Sequence, residues 1–214
     1  MNVTIIGAGN MARGIGTRLV ATGNHVTIAG RNPEKVGNLE GTLQKSAKKG
    51  AAVKTLPFGG AVSDEVVVLA VPYPADVNIV KEYGDKLAGK TIIDICTPLN
   101  STYDGLSTPA GTSAAEEVAK VVPSGAKVVK AFVTNFAQTL VDGQVAGQTL
   151  DVFVAGDDTE AKKVVAQLIE SSGLRPLDTG GLVRARYLEG LHLINVGLQS
   201  KMQKPWMNAI KFVG

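Results

Sequence analysis

The sequence is poor in the residues that staple small secreted domains or build metal centres. One cysteine, Cys96, stands among 214 residues. Neither an intrachain disulfide nor a cysteine-based zinc site is therefore available. Only two histidines occur, His25 and His192, and no metal ion is implied. No apolar run approaches the roughly 20 residues that cross a bilayer. The chain starts directly on a strand-like segment, Asn2 to Ile6, with no basic-then-apolar leader, so the expected location is cytoplasmic, with no membrane partner. The basic excess is slight, a formal net charge of +3 spread along the chain rather than massed in one stripe. That pattern argues against a nucleic-acid partner.

What is present is glycine, 25 residues, and an ordinary globular balance of 44% hydrophobic and 19% charged residues. Short β-branched runs alternate with helical patterns, as in βαβ units with a parallel sheet. Val3 to Ile6 reads as a strand and Met11 to Thr22 as a helix. Val26 to Ala29, then Pro33 to Lys48, form the next pair. Ala52 to Thr55 is a short strand, and Val66 to Val71 an apolar run suited to burial on both faces. Ala75 to Leu87 reads as a helix, Thr91 to Ile95 as a strand, and Ser113 to Val122 as a helix with a Ser113/Glu116 capping box. Lys127 to Phe132 and Asp151 to Ala155 read as strands, Thr159 to Ser172 as a helix, and Leu174 to Leu177 as a last strand. Gly180 to Met202 reads as one long closing helix, apolar around most of its circumference. Such a helix needs cover on several sides. The sheet supplies one side and a second copy of the chain the other, which makes a homodimer the expectation.

Gly7-Ala8-Gly9-Asn10-Met11-Ala12 fits the G-x-G-x-x-G/A turn of a Rossmann-type dinucleotide site. Gly7 allows the sharp exit from the strand, Gly9 lets backbone approach a pyrophosphate, and Ala12 keeps helix and strand close. The free N–H groups at the helix start then face the anion. Where an NAD site ends its second strand with a carboxylate, this chain has Ala29-Gly30-Arg31-Asn32. Arg31 offers a planar pair of donors to the 2′-phosphate of NADP, and Lys35 lies one helical turn on. The expected fold is thus a doubly wound, mostly parallel α/β sheet. The expected unit is one NADP-binding domain over residues 1–214, with a dinucleotide-binding core at 1–135 and a C-terminal strand–helix extension at 136–214.

On these residues the chain resembles the deazaflavin-dependent NADP reductases, which pass hydride between coenzyme F420 and NADP. It is also similar to the reductase domain of the six-transmembrane epithelial antigen metalloreductases. The resemblance rests on Thr4 to Met11 with Gly14, on Gly30-Arg31, on Val71-Pro72-Tyr73 and on Val129-Lys130-Ala131-Phe132. Phe153 to Asp158 and Gly173 to Asp178 carry it through the C-terminal part. It implies that Val71 to Tyr73 passes near the nicotinamide. It also implies a pocket after the sixth strand, where deazaflavin reductases carry a histidine. Val133 stands there instead, and Asn135 lies two places beyond the position where the metalloreductase-like members carry asparagine.

In an open α/β sheet the ligand crevice lies beyond the carboxyl ends of the strands. The turns expected there put Gly7, Gly9, Asn10, Met11, Ala12, Val71, Pro72, Tyr73, Thr97 and Pro98 on the cofactor. Thr134, Asn135 and Phe136 frame a substrate pocket, with Tyr73 or Phe136 available to stack on a flat ring. No catalytic acid–base pair is evident. Hydride transfer to a flavin or deazaflavin such as F420 needs alignment more than proton chemistry. Two other readings remain open at this point. An NADPH-dependent imine or ketone reductase needs a proton donor and more chain after Leu177. A non-catalytic NADP(H) redox sensor needs neither. His25 and Cys96 read as structural, and His192 as a packed histidine.

Overall fold

Valine and isoleucine runs with no polar interruption form the middle of the sheet. The strands Val66–Leu69 (β4) and Thr91–Asp94 (β5) are buried at every position, as strands covered on both faces must be. The computed structural model describes residues 1–213. The chain opens with β1 (Asn2–Ile6), α1 (Asn10–Ala21), β2 (His25–Gly30), α2 (Pro33–Ser46) and β3 (Val53–Pro57). After β4 come α3 (Ala75–Tyr83) and, after β5, α4 (Ala114–Ala119), β6 (Lys127–Lys130) and α5 (Ala137–Asp142). A small hairpin, β7 (Gln144–Val145) and β8 (Gln148–Thr149), leads to β9 (Asp151–Gly156), α6 (Thr159–Ser171), β10 (Arg175–Asp178) and α7 (Ala185–Gly197).

Eight strands form one sheet in the order β10-β9-β6-β5-β4-β1-β2-β3. All neighbours run parallel except β6 and β9, which are antiparallel. This is the doubly wound, mostly parallel α/β architecture expected from the sequence. The order reverses between β1 and β4, and that switch point opens the crevice beyond their carboxyl ends. Ser113 caps α4 as expected: its hydroxyl accepts from the Glu116 N–H at 3.2 Å and donates to the Glu116 carboxylate at 2.8 Å. Among the described residues no helix is long and apolar enough to cross a membrane.

Several elements differ from the sequence reading. β4 and β6 stop at Leu69 and Lys130, short of Val71 and Phe132, because the chain leaves the sheet there to build the crevice, with Phe132 at φ +59°. Residues after Tyr83 tighten into a 3₁₀ turn, Gly84–Leu87, rather than continuing the helix to Leu87. α5 and the β7–β8 hairpin were not expected.

The largest correction concerns the closing segment. Instead of one helix from Gly180 to Met202, a 3₁₀ turn (Leu182–Arg184), α7 and a second 3₁₀ turn (Gln199–Lys201) follow one another. Gly197 ends the α-helical stretch, and the Gln199 amide donates to the Asn195 carbonyl at 2.7 Å. α7 also turns polar residues inward. Glu189, His192 and Asn195 are buried with Leu188, while Tyr187 and Ile194 are exposed.

Candidate functional site

The glycine-rich turn follows from sterics. Gly7 sits at φ +129°, and a Cβ there would meet the Ala70 carbonyl oxygen at 2.2 Å. A side chain would thus push β1 and β4 apart at the mouth of the crevice. Gly9 caps α1 in extended conformation, and a Cβ built on it meets nothing within 4 Å. The space above Gly9 is therefore open, and the first N–H groups of α1 have no intrahelical acceptors. Ala12 is fully buried in the core against the sheet.

Two cavities meet over this turn, sharing Gly9, Ala70, Val71 and Pro72 in their walls. One, about 300 Å³, runs from Gly7 and Gly9 to Gly30, Arg31, Asn32 and Lys35. Asn32 caps α2 by accepting from the Lys35 N–H at 2.9 Å, which fixes Lys35 beside the corner. Phe58 forms the outer wall; the Arg31 guanidinium lies over its ring at 4.9 Å from the centroid. Arg31 also donates to Glu82 at 2.7 Å. Phe58 and Glu82 escaped the sequence reading. Phe58 sits in a Pro-Phe-Gly-Gly loop with no periodic signal, and Glu82 lies 51 residues from Arg31.

The other cavity, about 340 Å³, is bounded by Asn10, Met11, Val71, Pro72, Thr97 and Asn135 among others. Its walls also include Cys96, Val133 and His192. Of the expected contacts, Tyr73 and Pro98 line neither cavity: Pro98 is buried, and half-buried Tyr73 meets the site only through its N–H, which bonds to the Cys96 sulfur. Thr134 and Phe136 are buried beneath it, and the Phe136 ring packs against His192 at 5.3 Å and Trp206 at 5.2 Å. His25 is remote from both cavities and accepts from the Ala52 N–H at 3.0 Å.

The second cavity carries no charge. Its two titratable side chains among the described lining residues are Cys96 and His192. Burial, then nearby Asp94, pushes the Cys96 thiol up, and its sulfur accepts from the Tyr73 N–H at 3.1 Å. Burial, then the Lys130 ammonium, holds His192 down to about 4. Both are neutral at pH 7. Two buried polar atoms of the lining side chains, His192 Nδ1 and Asn135 Oδ1, have no hydrogen-bond partner among the described residues, while Asn135 Nδ2 donates to the Asp151 carbonyl at 3.0 Å. No group of three or more potential metal ligands occurs among the described residues.

Behind this wall lies a cluster that the sequence reading passed over. Lys130, Asp94 and Glu189 are fully buried, with Lys130 Nζ 2.7 Å from a carboxylate oxygen of each. Burial alone would lower the Lys130 pKa, but the two carboxylates outweigh it and raise it. The signal was available: Asp94 is the one charged residue of β5, and Lys130 follows two buried valines in β6.

Comparison with known proteins agrees with this geometry. The family described as "NADP oxidoreductase coenzyme F420-dependent" matches residues 2–98. An F420-dependent NADP reductase of Methanocaldococcus jannaschii is 30% identical over 94% of this chain and 93% of its own length. Metalloreductase STEAP3 of Rattus norvegicus is 32% identical over 89% of this chain, which spans 36% of that longer protein. A solved structure of a candidate F420-dependent NADP-reductase from Arthrobacter sp. FB24 superposes with a TM-score of 0.82 at 27% identity, covering 99% of each chain. A glycine-rich turn, an arginine corner and an uncharged second chamber thus sit in a chain that matches such a reductase nearly end to end, and the protein belongs to the F420-dependent NADP reductase family of NADP-dependent oxidoreductases.

Proposed function

We propose that the protein transfers hydride between NADP(H) and a deazaflavin, coenzyme F420, with the two joined cavities as the two half-sites. The observation that carries this reading is the contrast between the chambers: one ends in the cations Arg31 and Lys35, and the other presents no charged side chain. The residues fit the dinucleotide. Open space over Gly9 admits a pyrophosphate against the α1 N-terminus. Arg31 and Lys35 would take the 2′-phosphate. Val71, Pro72 and Thr97 would border the nicotinamide, with Asn10 and Met11 on the facing side.

When bound, nicotinamide and deazaflavin supply the hydride chemistry themselves. The chain's task is alignment and dryness. Val71, Ile95, Leu99 and Val133 give the second cavity apolar surface for a flat ring to cover, and a neutral His192 and Cys96 offer no stray proton donor of high acidity. Asn10, Thr97 and the Asn135 amide are the polar, uncharged groups of the second cavity's wall. We propose that residues 1–214 act as one unit, the 1–135 core holding the dinucleotide and the 136–214 extension completing the acceptor side, in a cytoplasmic setting. We further propose a homodimer through α7, supported by its outward apolar residues Tyr187 and Ile194.

The test is oxidation of NADPH by the purified protein against oxidised F420, FMN, FAD, a ferric chelate and a cyclic imine. Fastest turnover with F420 is expected. Preferred turnover of the imine would replace this reading with an imine reductase. Tight NADPH binding with no acceptor reduced would replace it with a redox sensor.

A further inference from the structure

Three buried charges form a strut between the closing helix and the crevice. Lys130 ends β6, Asp94 ends β5, and the two are register partners on neighbouring parallel strands. Glu189 reaches in from α7. The Lys130 ammonium donates to Asp94 Oδ2 and Glu189 Oε1, each at 2.7 Å, and to the Cys96 carbonyl oxygen. Asp94 Oδ1 accepts from the Cys96 N–H at 3.0 Å. The peptide groups on both sides of Cys96 are thus gripped by one ion pair. The Cys96 sulfur in turn accepts from the Tyr73 N–H. Glu189 accepts from the Ala114 N–H at 3.0 Å, which ties α4 into the same cluster.

Lys130 itself does not line the cavity, but Cys96, Thr97, Val71 and Pro72 do. A buried ion triad is a poor device for stability, because well-packed apolar residues of the same volume often do as well or better. Its directional bonds are what apolar residues cannot supply. Here every one of those bonds ends on a segment beside the crevice or on an element braced against it.

We infer that Lys130 is a positioning residue: through Asp94 and Cys96 it fixes the Ile95–Thr97 and Val71–Tyr73 segments relative to each other, and so sets the spacing at which the nicotinamide meets the hydride acceptor. The inference rests on the reading of the second cavity as the place of hydride transfer. Lys130 touches neither reactant. It acts through the backbone of Cys96 and the turn hung on that sulfur.

Lys130→Met alone leaves two carboxylates buried without a cation, so the variant that carries the test is Asp94→Asn/Lys130→Met/Glu189→Gln, which removes all three charges at nearly constant shape. Two readouts are needed. Amide hydrogen exchange at Tyr73 and Cys96 should accelerate by about tenfold or more, while α1 amides exchange as in the wild type. With NADPH and F420, kcat should fall about 10- to 100-fold, as expected for a misplacement on the order of 1 Å, while KM for NADPH changes less than about threefold. Unchanged exchange at Tyr73 and Cys96 overturns the inference. So does faster exchange with unchanged kcat. Failure of the neutral variant to fold would make the triad a stability device and overturn it too. If the wild type turns over no acceptor, the functional reading fails by itself, and the exchange experiment still judges Lys130.

Discussion

Arg31 donates to Glu82 at 2.7 Å while lying over the Phe58 ring, so the cation expected to meet the 2′-phosphate is already engaged by a carboxylate. Both side chains are about half exposed, 59% and 47%. An exposed pair of this kind is worth up to about 1 kcal/mol, and a phosphate must displace or share it. Glu82→Gln should therefore tighten NADPH binding by up to about fivefold and leave NADH binding unchanged. Isothermal titration of both dinucleotides reads this directly. Weaker NADPH binding by the variant would mean that Glu82 orients Arg31 rather than competing for it.

Arg31→Asp should act in the opposite direction and harder. A charge-assisted guanidinium–phosphate contact contributes about 1.5–3 kcal/mol, so NADPH affinity should drop about 10- to 150-fold, and the added carboxylate repels the phosphate further. NADH, which has no 2′-phosphate, should bind almost as before. Equal losses for both dinucleotides would remove Arg31 from the phosphate site.

Two glycines of the same turn and helix should fail in different ways. A Cβ on Gly9 meets nothing in the protein. Gly9→Ala should fold with an unchanged melting temperature yet lose NADPH, because the methyl group stands where the pyrophosphate must approach. A Cβ on Gly14 would lie 2.4 Å from the Ala137 carbonyl oxygen, where α1 crosses α5. Gly14→Ala should cost about 1–3 kcal/mol of stability through overpacking. Thermal melts with and without NADPH separate the two effects. A Gly9→Ala protein that binds NADPH normally would displace the cofactor from this turn.

The parts of the fold legible in the sequence were those set by local pattern. Alternating apolar runs and helical segments marked the βαβ order, and Gly7, Gly9 and Arg31 are neighbours along one such unit. The closing segment misled because composition was read without direction. α7 is rich in leucine, but its inward face meets the buried Lys130, so Glu189 turns in and Tyr187 turns out. That inversion is a tertiary fact. α5 is six residues long, too short for a 3.6-residue period to register. Glu82 at the Arg31 corner and His192 in the second chamber come from elements far along the chain from the turns they face. No spacing rule links them.

The same inversion motivates a test of association. Tyr187 and Ile194 are 66% and 62% exposed, seven residues apart on one face of α7, with Trp206 and Met207 exposed further along. Apolar residues at that spacing suit a helix seam. Ile194→Glu should convert a dimer into a monomer in sedimentation equilibrium at micromolar concentration, without lowering secondary-structure content. A wild type that is already monomeric there would dispose of the dimer.

Asp76 makes a prediction about pH. It is fully buried at the start of α3, its Oδ1 accepts from the Val77 N–H at 2.7 Å, and its Oδ2 has no partner among the described residues. Burial, then the nearby Asp94 carboxylate, pushes its carboxyl up to about 7, from 3.8 for an ordinary aspartate. Between those values the folded chain holds a proton that the unfolded chain releases. Stability from this group is therefore greatest near pH 4, declines as pH rises toward 7, and is flat above. His192, held down to about 4, works in the other sense, costing stability as pH falls below 6.5. Comparing the wild type with Asp76→Asn cancels the His192 effect, since both proteins carry it. The variant, uncharged at every pH, should gain on the wild type as pH rises from 4 to 7, by at most about 1.4 kcal/mol per pH unit. Urea melts at half-unit steps measure this. Two stability curves that stay parallel from pH 4 to 8 would mean that Asp76 is ionised in the fold at neutral pH, and that Lys130 then balances three carboxylates rather than two.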